Sequence, residues 1–399
     1  MQYNKTMQCL KAAMLFAAAV LLSVPSIAAD AWKGTWATAV EYPGDGDMPK
    51  ESLSNRSCRQ IIHVAMGGNT VRLKLSNEFS AQPLEIISVY IADANLQWNV
   101  NSKTASFLKF SGKKSVTIQP GQTVYSDGIK YNLKSDQLLA ITINYGKQTP
   151  DVVTTHRGSR TTSFIIKGQS KPTSSFAGAE ALDHWYNISA LEVMVPKETE
   201  AIAVLGNSIT DGRGSTHNKQ NRWTDFFSTE LNDKSKAGVL NLGIGGNCVV
   251  SGGLSQPALQ RFDRDILAQQ GVTKLIIFEG TNDIGMSKCN YEQVVDTLIA
   301  SYKTLIAKAH SKGIKVYGGT ITPNKGHSWF TYWHEAMRQT VNEWIRTSGV
   351  FDGVIDFDSI MRDPSDHQRL KPEYSDDWLH PNPLGYEAMG RFAAEQILK

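Results

Sequence analysis

The chain has 399 residues, of which 41% are hydrophobic and 20% are charged, a composition typical of a folded protein rather than a disordered one. Lysine and arginine number 41 against 38 aspartate and glutamate, so the formal net charge is only +3. This near balance argues against an extended nucleic-acid surface, which requires a clustered basic excess. At roughly 150 residues per domain, the length indicates two or three domains.

The first 29 residues have the pattern of a secretory signal peptide. Lys5 and Lys11 give a basic start, residues 12–24 form an uncharged and mostly apolar run, and residues 26–29 supply small side chains for a signal peptidase. The apolar run is shorter than the roughly 20 residues that a transmembrane helix needs. We therefore expect residues 1–29 to be removed and the protein to be secreted or periplasmic, with no integral membrane segment.

Three cysteines remain after that cleavage, namely Cys58, Cys248 and Cys289. They can form one internal disulfide at most, so the fold must depend on its hydrophobic core rather than on a disulfide framework. Cys248 and Cys289 follow neighbouring predicted strands, which makes a bridge between them geometrically possible in an exported protein. Three buried free thiols are an equally open alternative.

Residues 30–196 alternate between apolar and polar side chains with a period of two. The segments 71–75 and 139–145 show this alternation clearly, and turn residues such as those at 67–69 and 120–121 separate the runs. Short alternating runs between turns are typical of an antiparallel β-sandwich. No amphipathic helix is evident before Pro196, so we expect a β-sandwich domain over residues 30–196.

After residue 196 short apolar runs alternate with helical segments. The predicted strands are 201–205, 239–242, 274–278, 314–320 and 354–357. The predicted helices are 222–231, 257–270, 291–312, 333–347 and 384–398. This alternation predicts an α/β fold over residues 197–399, a flavodoxin-like three-layer α/β/α domain with a parallel five-stranded sheet.

Polar residues follow the predicted strands, where ligands of open parallel sheets bind. The segment 206–212 supplies a hydroxyl, 243–247 a glycine-rich backbone, and 279–283 a carboxamide. The segment 377–380, just before the last helix, supplies a carboxylate and an imidazole. An acyl-transfer site needs a nucleophile, a base, a group that orients the base, and donors for an oxyanion.

The four segments, in this order, resemble the SGNH hydrolases, also called GDSL-type esterases and lipases. The N-terminal half is also similar, through residues 75–77 and 125–128, to a β-domain found in one bacterial subgroup of that family. The resemblance implies that Ser208 is the nucleophile, that His380 is the general base and that Asp377 orients it. Activation of a serine hydroxyl by an imidazole, itself held by a carboxylate, is consistent with those roles.

The same resemblance implies an oxyanion hole formed by the backbone N–H groups of Ser208 and Gly246 and by the side-chain amide of Asn282. The family usually has Gly-Asp-Ser at the nucleophile, whereas here Asn207 replaces the aspartate. Asparagine keeps the shape and loses the charge, and we expect activity to survive because the proton relay does not use that carboxylate.

Each of these residues has a simpler structural alternative. Ser208 could cap a helix, Gly246 could allow a tight turn, and Asn282 could satisfy a loop backbone. His380 could be a surface histidine, and Trp378 a packing residue instead of the substrate-binding ring that its place between Asp377 and His380 suggests.

Metal and cofactor binding are not expected. The other histidines lack zinc-ligand spacing, and the glycine-rich stretch near Gly245 lacks the P-loop lysine and the complete dinucleotide-binding pattern. We therefore predict no metal site and no cofactor.

The resemblance implies a carboxylic ester hydrolase that acts through an acyl-enzyme on a small-molecule or polysaccharide ester. The sequence contains neither a long hydrophobic lid nor an amphipathic membrane-binding helix, which favours a short acyl group on a polar carrier. We therefore expect O-deacetylation of a carbohydrate. The alternatives are a lipase or lysophospholipase, and a carbohydrate-binding protein whose catalytic domain is vestigial. The β-domain could bind carbohydrate or shape the rim of the active site.

Overall fold

The computed structural model describes residues 29–94, 97–288 and 290–399. The predicted signal peptide therefore lies outside the described residues except for Ala29, and so does Cys289. Within the described part of the chain, no helix is long and apolar enough to cross a membrane. Residues 30–196 are called the β-region below, and residues 197–399 are called the α/β-region.

The β-region consists of antiparallel strands joined by turns, with one short 3-10 turn at Ser102–Thr104. Its longer strands are β1 (Asp30–Ala37), β2 (Arg56–His63), β3 (Gly68–Ser76), β4 (Leu84–Asp93), β9 (Leu138–Tyr145), β11 (Ser163–Lys167) and β14 (Ile188–Pro196). Its shorter strands are β5 (Ser106–Phe107), β6 (Val116–Ile118), β7 (Thr123–Tyr125), β8 (Ile129–Leu133), β10 (Thr155–His156), β12 (Glu180–Leu182) and β13 (Trp185–Tyr186).

Two antiparallel sheets pack face to face in the β-region. One has the order β1-β14-β3-β7, with β8 also paired to β3, and the other has the order β12-β11-β2-β9-β4-β5, with β6 also paired to β4. Leu73 and Leu75 of β3 and Ile141 and Ile143 of β9 are fully buried in one shared cluster. Each buried side chain of this size contributes about 1.5–3 kcal/mol relative to exposure. The predicted β-sandwich is confirmed.

The α/β-region alternates strands with helices. Its strands are β15 (Ala201–Gly206), β16 (Gly238–Gly243), β17 (Val272–Phe278), β18 (Lys315–Gly319), β19 (Gly353–Ile355), β20 (Arg362–Asp363) and β21 (Asp366–Leu370). Its helices are α1 (Ser208–Asp211), α2 (Trp223–Asn232), α3 (Ala258–Phe262), α4 (Thr281–Gly285), α5 (Tyr291–His310), α6 (Tyr332–Thr347), α7 (Phe357–Met361) and α8 (Pro383–Ile397).

The parallel sheet has the order β16-β15-β17-β18-β19, which is the flavodoxin-like order. Successive residues of β15 face opposite sides, as in any strand. Ala203 and Leu205 pack in the cluster that contains α3, α5 and α6, whereas Ile202 and Val204 pack in the cluster that contains α2, α7 and α8. Helices therefore cover both faces, and the predicted three-layer α/β/α fold with a parallel five-stranded sheet is confirmed.

The predicted helix 257–270 is helical over residues 258–267, but its second half is not an α-helix. The α-helix ends at Phe262 and continues as a π-helical turn over Asp263–Leu267. In this arrangement the fully buried guanidinium of Arg261 lies 3.2 Å from the Asp265 carboxylate and donates to the Leu242 carbonyl at 2.8 Å. A hydrophobic pattern carries no information about such a buried polar network. The β20–β21 hairpin was likewise not predicted.

The β-region packs against the edge of the parallel sheet. The Gly34 N–H donates to the Gln270 carbonyl at 3.0 Å, and a Cβ on Gly238 would stand only 2.0 Å from the Gly34 carbonyl oxygen. Glycine at 238 therefore lets β1 and β16 approach closely. This contact lies at the amino ends of the strands, and the β-region reaches their carboxyl ends through His156 and Arg160, which contact Asp211. The limits of the two predicted domains, at residues 196 and 197, stay a prediction.

Candidate active site

Ser208 lies at the point where β15 turns directly into α1. Asn207 is the N-cap of that helix, and its side-chain oxygen accepts a hydrogen bond from the Ile209 N–H at 3.0 Å. A Cβ at Gly206 would lie 2.1 Å from Thr210 Oγ1, so the turn requires glycine. Capping and a close turn together fix the Ser208 hydroxyl at the carboxyl end of the central strands.

Ser208, His380 and Asp377 form one chain of hydrogen bonds. The Ser208 Oγ lies 2.9 Å from His380 Nε2, and His380 Nδ1 lies 2.7 Å from Asp377 Oδ2. The two ring nitrogens of His380 therefore have different partners, which favours the tautomer that carries its proton on Nδ1. This arrangement can remove the serine proton as the hydroxyl attacks a carbonyl carbon.

The Asp377 carboxylate is held by the turn that it belongs to. Its Oδ1 accepts hydrogen bonds from the backbone N–H groups of Leu379 and His380 at 2.9 and 2.7 Å. Trp378 has a φ of 65°, and this left-handed conformation closes the turn between the carboxylate and the imidazole. Burial favours the neutral acid, but the hydrogen bonds from His380 and Leu379 outweigh it and lower the pKa of Asp377. The carboxylate is thus charged at neutral pH.

The expected oxyanion donors meet beside Ser208. Gly246 has a φ of 71°, and the Asn282 side-chain amide donates to the Asn247 carbonyl at 2.6 Å, which orients the amide. Among the described hydrogen bonds, none uses the backbone N–H of Ser208 or of Gly246 as its donor. Both N–H groups and the second amide proton of Asn282 are therefore available to a ligand.

Asp283 fixes the loop that carries Gly246. Its carboxylate accepts hydrogen bonds from the Val249 N–H at 2.9 Å and the Val250 N–H at 3.0 Å. The sequence indicated a structural role in a loop for this residue, and the contacts agree with it. Asp283 and Asn282 together clamp the 246–250 loop onto the start of α4.

A cleft of about 480 Å³ opens above these groups. Its walls come from both regions of the molecule. The β-region contributes Glu41, Asp47, Arg157, Gly158 and Arg160. The α/β-region contributes Ser208, Asp211, Arg213, Gly245, Gly246, Leu254, Asn282, His327, Ser328, Trp329, Leu379 and His380. Polar and charged side chains predominate, so the cleft suits a hydrophilic ligand.

Part of the α/β-region matches a known protein family. Residues 204–388 match the GDSL-like lipase/acylhydrolase family. This region, just under half of the chain, is a domain of the GDSL-type, or SGNH, acylhydrolase family. The family resemblance drawn from the four sequence segments is therefore confirmed, and the α/β-region is a hydrolase of the esterase type.

Solved structures similar to this acylhydrolase cover half of its chain. They include a GDSL-like lipase from Bacteroides thetaiotaomicron (20% identity, 50% of this chain and 88% of that one, TM-score 0.39). A catalytic mutant of an acetylxylan esterase from Geobacillus stearothermophilus is similar at 18% identity, over 50% and 94% of the two chains, with a TM-score of 0.39. A carbohydrate acetylesterase family member from Sinorhizobium meliloti has 16% identity, coverage of 50% and 97%, and a TM-score of 0.40. No curated protein matches the chain.

The sequence did not reveal how the acylhydrolase attaches the β-region to its active site. Asp211, which the sequence assigned to loop structure, lies 3.0 Å from His156 Nε2 and 3.2 Å from the Arg160 guanidinium. A Cβ on Gly158 would lie 2.1 Å from the same carboxylate. His156 and Asp211 are 55 residues apart, and no local pattern marks them as partners.

The His156–Asp211 pair is buried and ionic. Burial opposes the charge on both groups, but the two partners outweigh it and raise the pKa of His156 while lowering the pKa of Asp211. Glu41 supports the charge on His156, and Arg160 supports the charge on Asp211. The end of α1, three residues after the nucleophile, is therefore tied to the β-region by charge.

Asn207, where the family usually has aspartate, lies beside a second buried acid. Burial raises the pKa of Glu279 well above its usual range, against the opposing effects of Arg261 and the Asn207 amide. The raised pKa favours the neutral form of the Glu279 carboxyl group, which lies beside the neutral amide of Asn207. An aspartate at 207 would instead bring a second carboxylate next to Glu279.

Trp378 is not among the described residues that line the cleft. Its ring packs over Gly326 and lies 5.8 Å from the Arg369 guanidinium. Trp329 lines the cleft instead, because the loop before α6 folds towards His380. The substrate-binding role of Trp378 stays a prediction, now without a contact to the cleft.

In the described part of the acylhydrolase, no group of three or more histidine, cysteine, aspartate or glutamate side chains is placed to hold a metal ion. Cys58 and Cys248 carry buried free thiols. Burial raises the pKa of both thiols, so both are protonated at neutral pH. The possible partner of Cys248, Cys289, lies outside the described residues.

Proposed function

We propose that this acylhydrolase is a serine esterase that hydrolyses carboxylic esters through an acyl-enzyme, with Ser208 as nucleophile. His380 is the general base and Asp377 orients it. The observation that carries the proposal is the continuous hydrogen-bond chain from Ser208 Oγ through both nitrogens of His380 to Asp377, with distances of 2.9 and 2.7 Å. This chain ends in an open cleft, where an ester can reach it.

Acylation begins when the Ser208 oxygen attacks the ester carbonyl carbon and His380 Nε2 takes the hydroxyl proton. The carbonyl oxygen becomes an oxyanion, which the N–H groups of Ser208 and Gly246 and the Asn282 amide stabilise. His380 then gives its proton to the leaving alcohol, and the ester C–O bond breaks. Asp377 stabilises the imidazolium throughout, because its carboxylate remains charged.

Deacylation repeats these steps with water. His380 takes a proton from a water molecule, whose oxygen attacks the acyl carbon bound to Ser208. The second tetrahedral intermediate uses the same oxyanion donors. Its collapse breaks the bond to the serine oxygen, returns the proton to Ser208 and releases the carboxylic acid.

The substrate that we propose is a short acyl ester of a polar carrier, and most specifically an O-acetylated carbohydrate. The lining of the cleft has only three large apolar side chains among the described residues, those of Leu254, Trp329 and Leu379. Each methylene buried from water contributes about 0.8 kcal/mol, so a long acyl chain needs much more apolar surface than this. A lipase or lysophospholipase is thus the weaker alternative.

Two further proposals concern the whole protein. The β-region, residues 30–196, acts as a domain that supplies one wall of the cleft, and residues 197–399 act as the catalytic domain. Residues 1–29 direct export to the periplasm or beyond and are then removed. Determining the N-terminus of the protein recovered from the periplasm or the medium tests the export proposal, and retention of Met1 in the exported protein would contradict it.

A comparison of Ser208→Ala with Ser311→Ala on p-nitrophenyl acetate tests the catalytic proposal. Ser311 is an exposed serine at the end of α5 and serves as the matched control. We expect Ser208→Ala to lose at least about 10⁴-fold in kcat, as for other triads, and Ser311→Ala to retain full activity. A folded Ser208→Ala variant with more than a few per cent of the activity would overturn the assignment.

A chain-length series tests the substrate proposal. We expect kcat/KM to fall from p-nitrophenyl acetate to p-nitrophenyl octanoate, and acetate to be released from an acetylated polysaccharide. A preference for octanoate with no acetate released from any glycan would favour the lipase alternative. A correctly folded protein that hydrolyses no ester would favour a vestigial catalytic region instead.

A further inference from the structure

Three arginine side chains line the cleft. Arg157 and Arg160 come from the β-region, and Arg213 comes from the turn that follows α1. The ester hydrolysis proposed above does not use any of them. Which of them is free to bind a ligand depends on the acids that each one already contacts.

Two of these arginines already have carboxylate partners. Arg157 donates to Glu41 at 2.6 Å and lies 3.8 Å from Asp47. Arg160 lies 3.2 Å from Asp211, which it shares with the charged His156, and its buried Nε has no hydrogen-bond partner among the described residues. The acidic side chains Glu41, Asp47 and Asp211 thus already have positively charged partners.

Arg213 differs from the other two. Its guanidinium has no carboxylate within 4.0 Å among the described residues, and its side chain is exposed to solvent in the cleft. Its charge nevertheless affects His327, another side chain that lines the cleft. Burial lowers the pKa of His327 against the opposing effect of Asp377, and the charges of His380 and Arg213 lower it further.

The backbone places Arg213 beside the base. The Arg213 N–H donates to the Ser208 carbonyl at 2.9 Å, and Tyr386 donates its hydroxyl proton to the Arg213 carbonyl at 2.5 Å. At the next residue, a Cβ on Gly214 would lie 3.5 Å from the Cβ of His380. The backbone of Arg213 is therefore held beside Ser208 and His380.

The alcohol part of an ester must lie on the same side as His380. His380 protonates the leaving alcohol, so the alcohol oxygen departs towards the imidazole while the carbonyl oxygen points to the oxyanion donors. A group attached to the alcohol can thus reach Arg213. A guanidinium binds a carboxylate through two parallel hydrogen bonds, which an ammonium cannot reproduce.

We propose that the cleft selects esters whose alcohol part carries a carboxylate, which binds to Arg213 with support from Arg160. This rests on the proposed function and narrows its substrate class. An acetylated glycan that contains uronic acid has this chemistry, since its sugar rings carry both an acetyl ester and a carboxylate. The three acids Glu41, Asp47 and Asp211 are balanced by the three positive charges of Arg157, Arg160 and His156, so they leave no net negative charge to oppose such a ligand.

The test compares 4-acetoxybenzoate with its neutral methyl ester, which differ in one charge on the leaving alcohol. Both are measured with the unaltered protein, Arg213→Gln, Arg213→Lys and the control Arg391→Gln, which removes an exposed arginine of α8. Each variant is compared with the unaltered protein on the same substrate, so the intrinsic reactivity of the ester cancels. Thermal melting confirms that each variant is folded.

We expect Arg213→Gln to lower kcat/KM for the carboxylate about fivefold, in keeping with a solvent-exposed charge pair, and to change the methyl ester less than twofold. Arg213→Lys retains part of the preference because it keeps the charge, and Arg391→Gln changes neither substrate. Added salt weakens the preference by screening. An equal change in both substrates, or no change in either, would overturn the proposal. If the unaltered protein hydrolyses neither ester, the proposed function fails and this inference fails with it.

Discussion

The two walls of the cleft are held in place by different kinds of interaction. On the α/β side, Ser208, Gly246 and Asn282 lie at strand ends, where short turns and backbone hydrogen bonds fix them. On the β side, ion pairs hold Arg157 and Arg160, and the pair of Arg160 with Asp211 crosses between the two regions. Local backbone geometry thus sets the chemistry, and long-range charge contacts set the shape of the rim.

The two walls should therefore respond differently to changes in pH. Backbone turns and caps do not titrate in the physiological range, so the positions of Ser208, Gly246 and Asn282 should not change with moderate changes in pH. The β wall depends on His156, whose charge is lost as pH rises through its raised pKa. Variants of the two walls should therefore differ both in size of effect and in pH dependence.

Asn282→Ala breaks the catalytic wall and should have the largest effect of the three variants considered below. It removes an oriented donor from the position where the oxyanion forms, which costs about 10²–10³ in kcat. KM should change much less, because the donor acts mainly in the transition state. Steady-state kinetics on p-nitrophenyl acetate measure both constants. An effect confined to KM would mean that Asn282 binds the ground-state ester instead.

His156→Gln breaks the β wall. Removing one partner of a buried ion pair leaves Asp211 with Arg160 alone as its ion-pair partner among the described residues and should lower the free energy of unfolding by about 3 kcal/mol. Because the pKa of His156 is raised, its contribution is complete below about pH 6.5 and is lost as pH rises through the folded value. Because the pKa of Asp211 is lowered, its contribution is complete above about pH 3.9 and is lost at more acidic pH.

The stability difference between the unaltered protein and His156→Gln should therefore be largest between about pH 4 and pH 6.5. Urea denaturation at several pH values measures it, with the exposed His367→Gln as control. A difference that grows steadily from pH 6 to pH 9 would contradict a charged His156 in the folded protein.

Asn207→Asp restores the residue that the family usually has next to the nucleophile, and it alters the catalytic wall without removing a catalytic group. It places a carboxylate next to the buried acid Glu279, so we expect a loss of about 1 kcal/mol, or 2–4 °C in Tm. The double variant Asn207→Asp/Glu279→Gln should recover part of that loss, since it removes the second carboxyl group. Calorimetry measures all four proteins. Equal losses with and without Glu279 would mean that the two side chains do not interact.

The sequence predicted those features that depend on neighbouring residues. Alternation in residues 71–75 and the apolar run 201–205 were enough to predict strands, and their order along the chain was enough to predict the parallel sheet. The polar segments after the predicted strands, together with the family resemblance of these segments, were enough to predict a site at the strand ends.

Features that depend on distant side chains were not predictable. The π-helical turn after Phe262 coincides with the buried Arg261–Asp265 pair, and the joint between the regions depends on His156 and Asp211. Trp378 was close to His380 in sequence, yet its left-handed backbone directs its ring over Gly326 instead of into the cleft. The position of Trp378 next to His380 in the sequence therefore did not show where its side chain points.

The most direct test of the central claim is covalent labelling with a fluorophosphonate, which mimics the tetrahedral intermediate of ester hydrolysis. Peptide mapping by mass spectrometry identifies the labelled residue, and residual activity is measured on the same sample. The account predicts one label per chain, on Ser208, with activity lost in proportion to labelling. It also predicts that His380→Ala is labelled more slowly than the unaltered protein. Full inactivation with the label on another residue, or full activity after Ser208 is labelled, would contradict it.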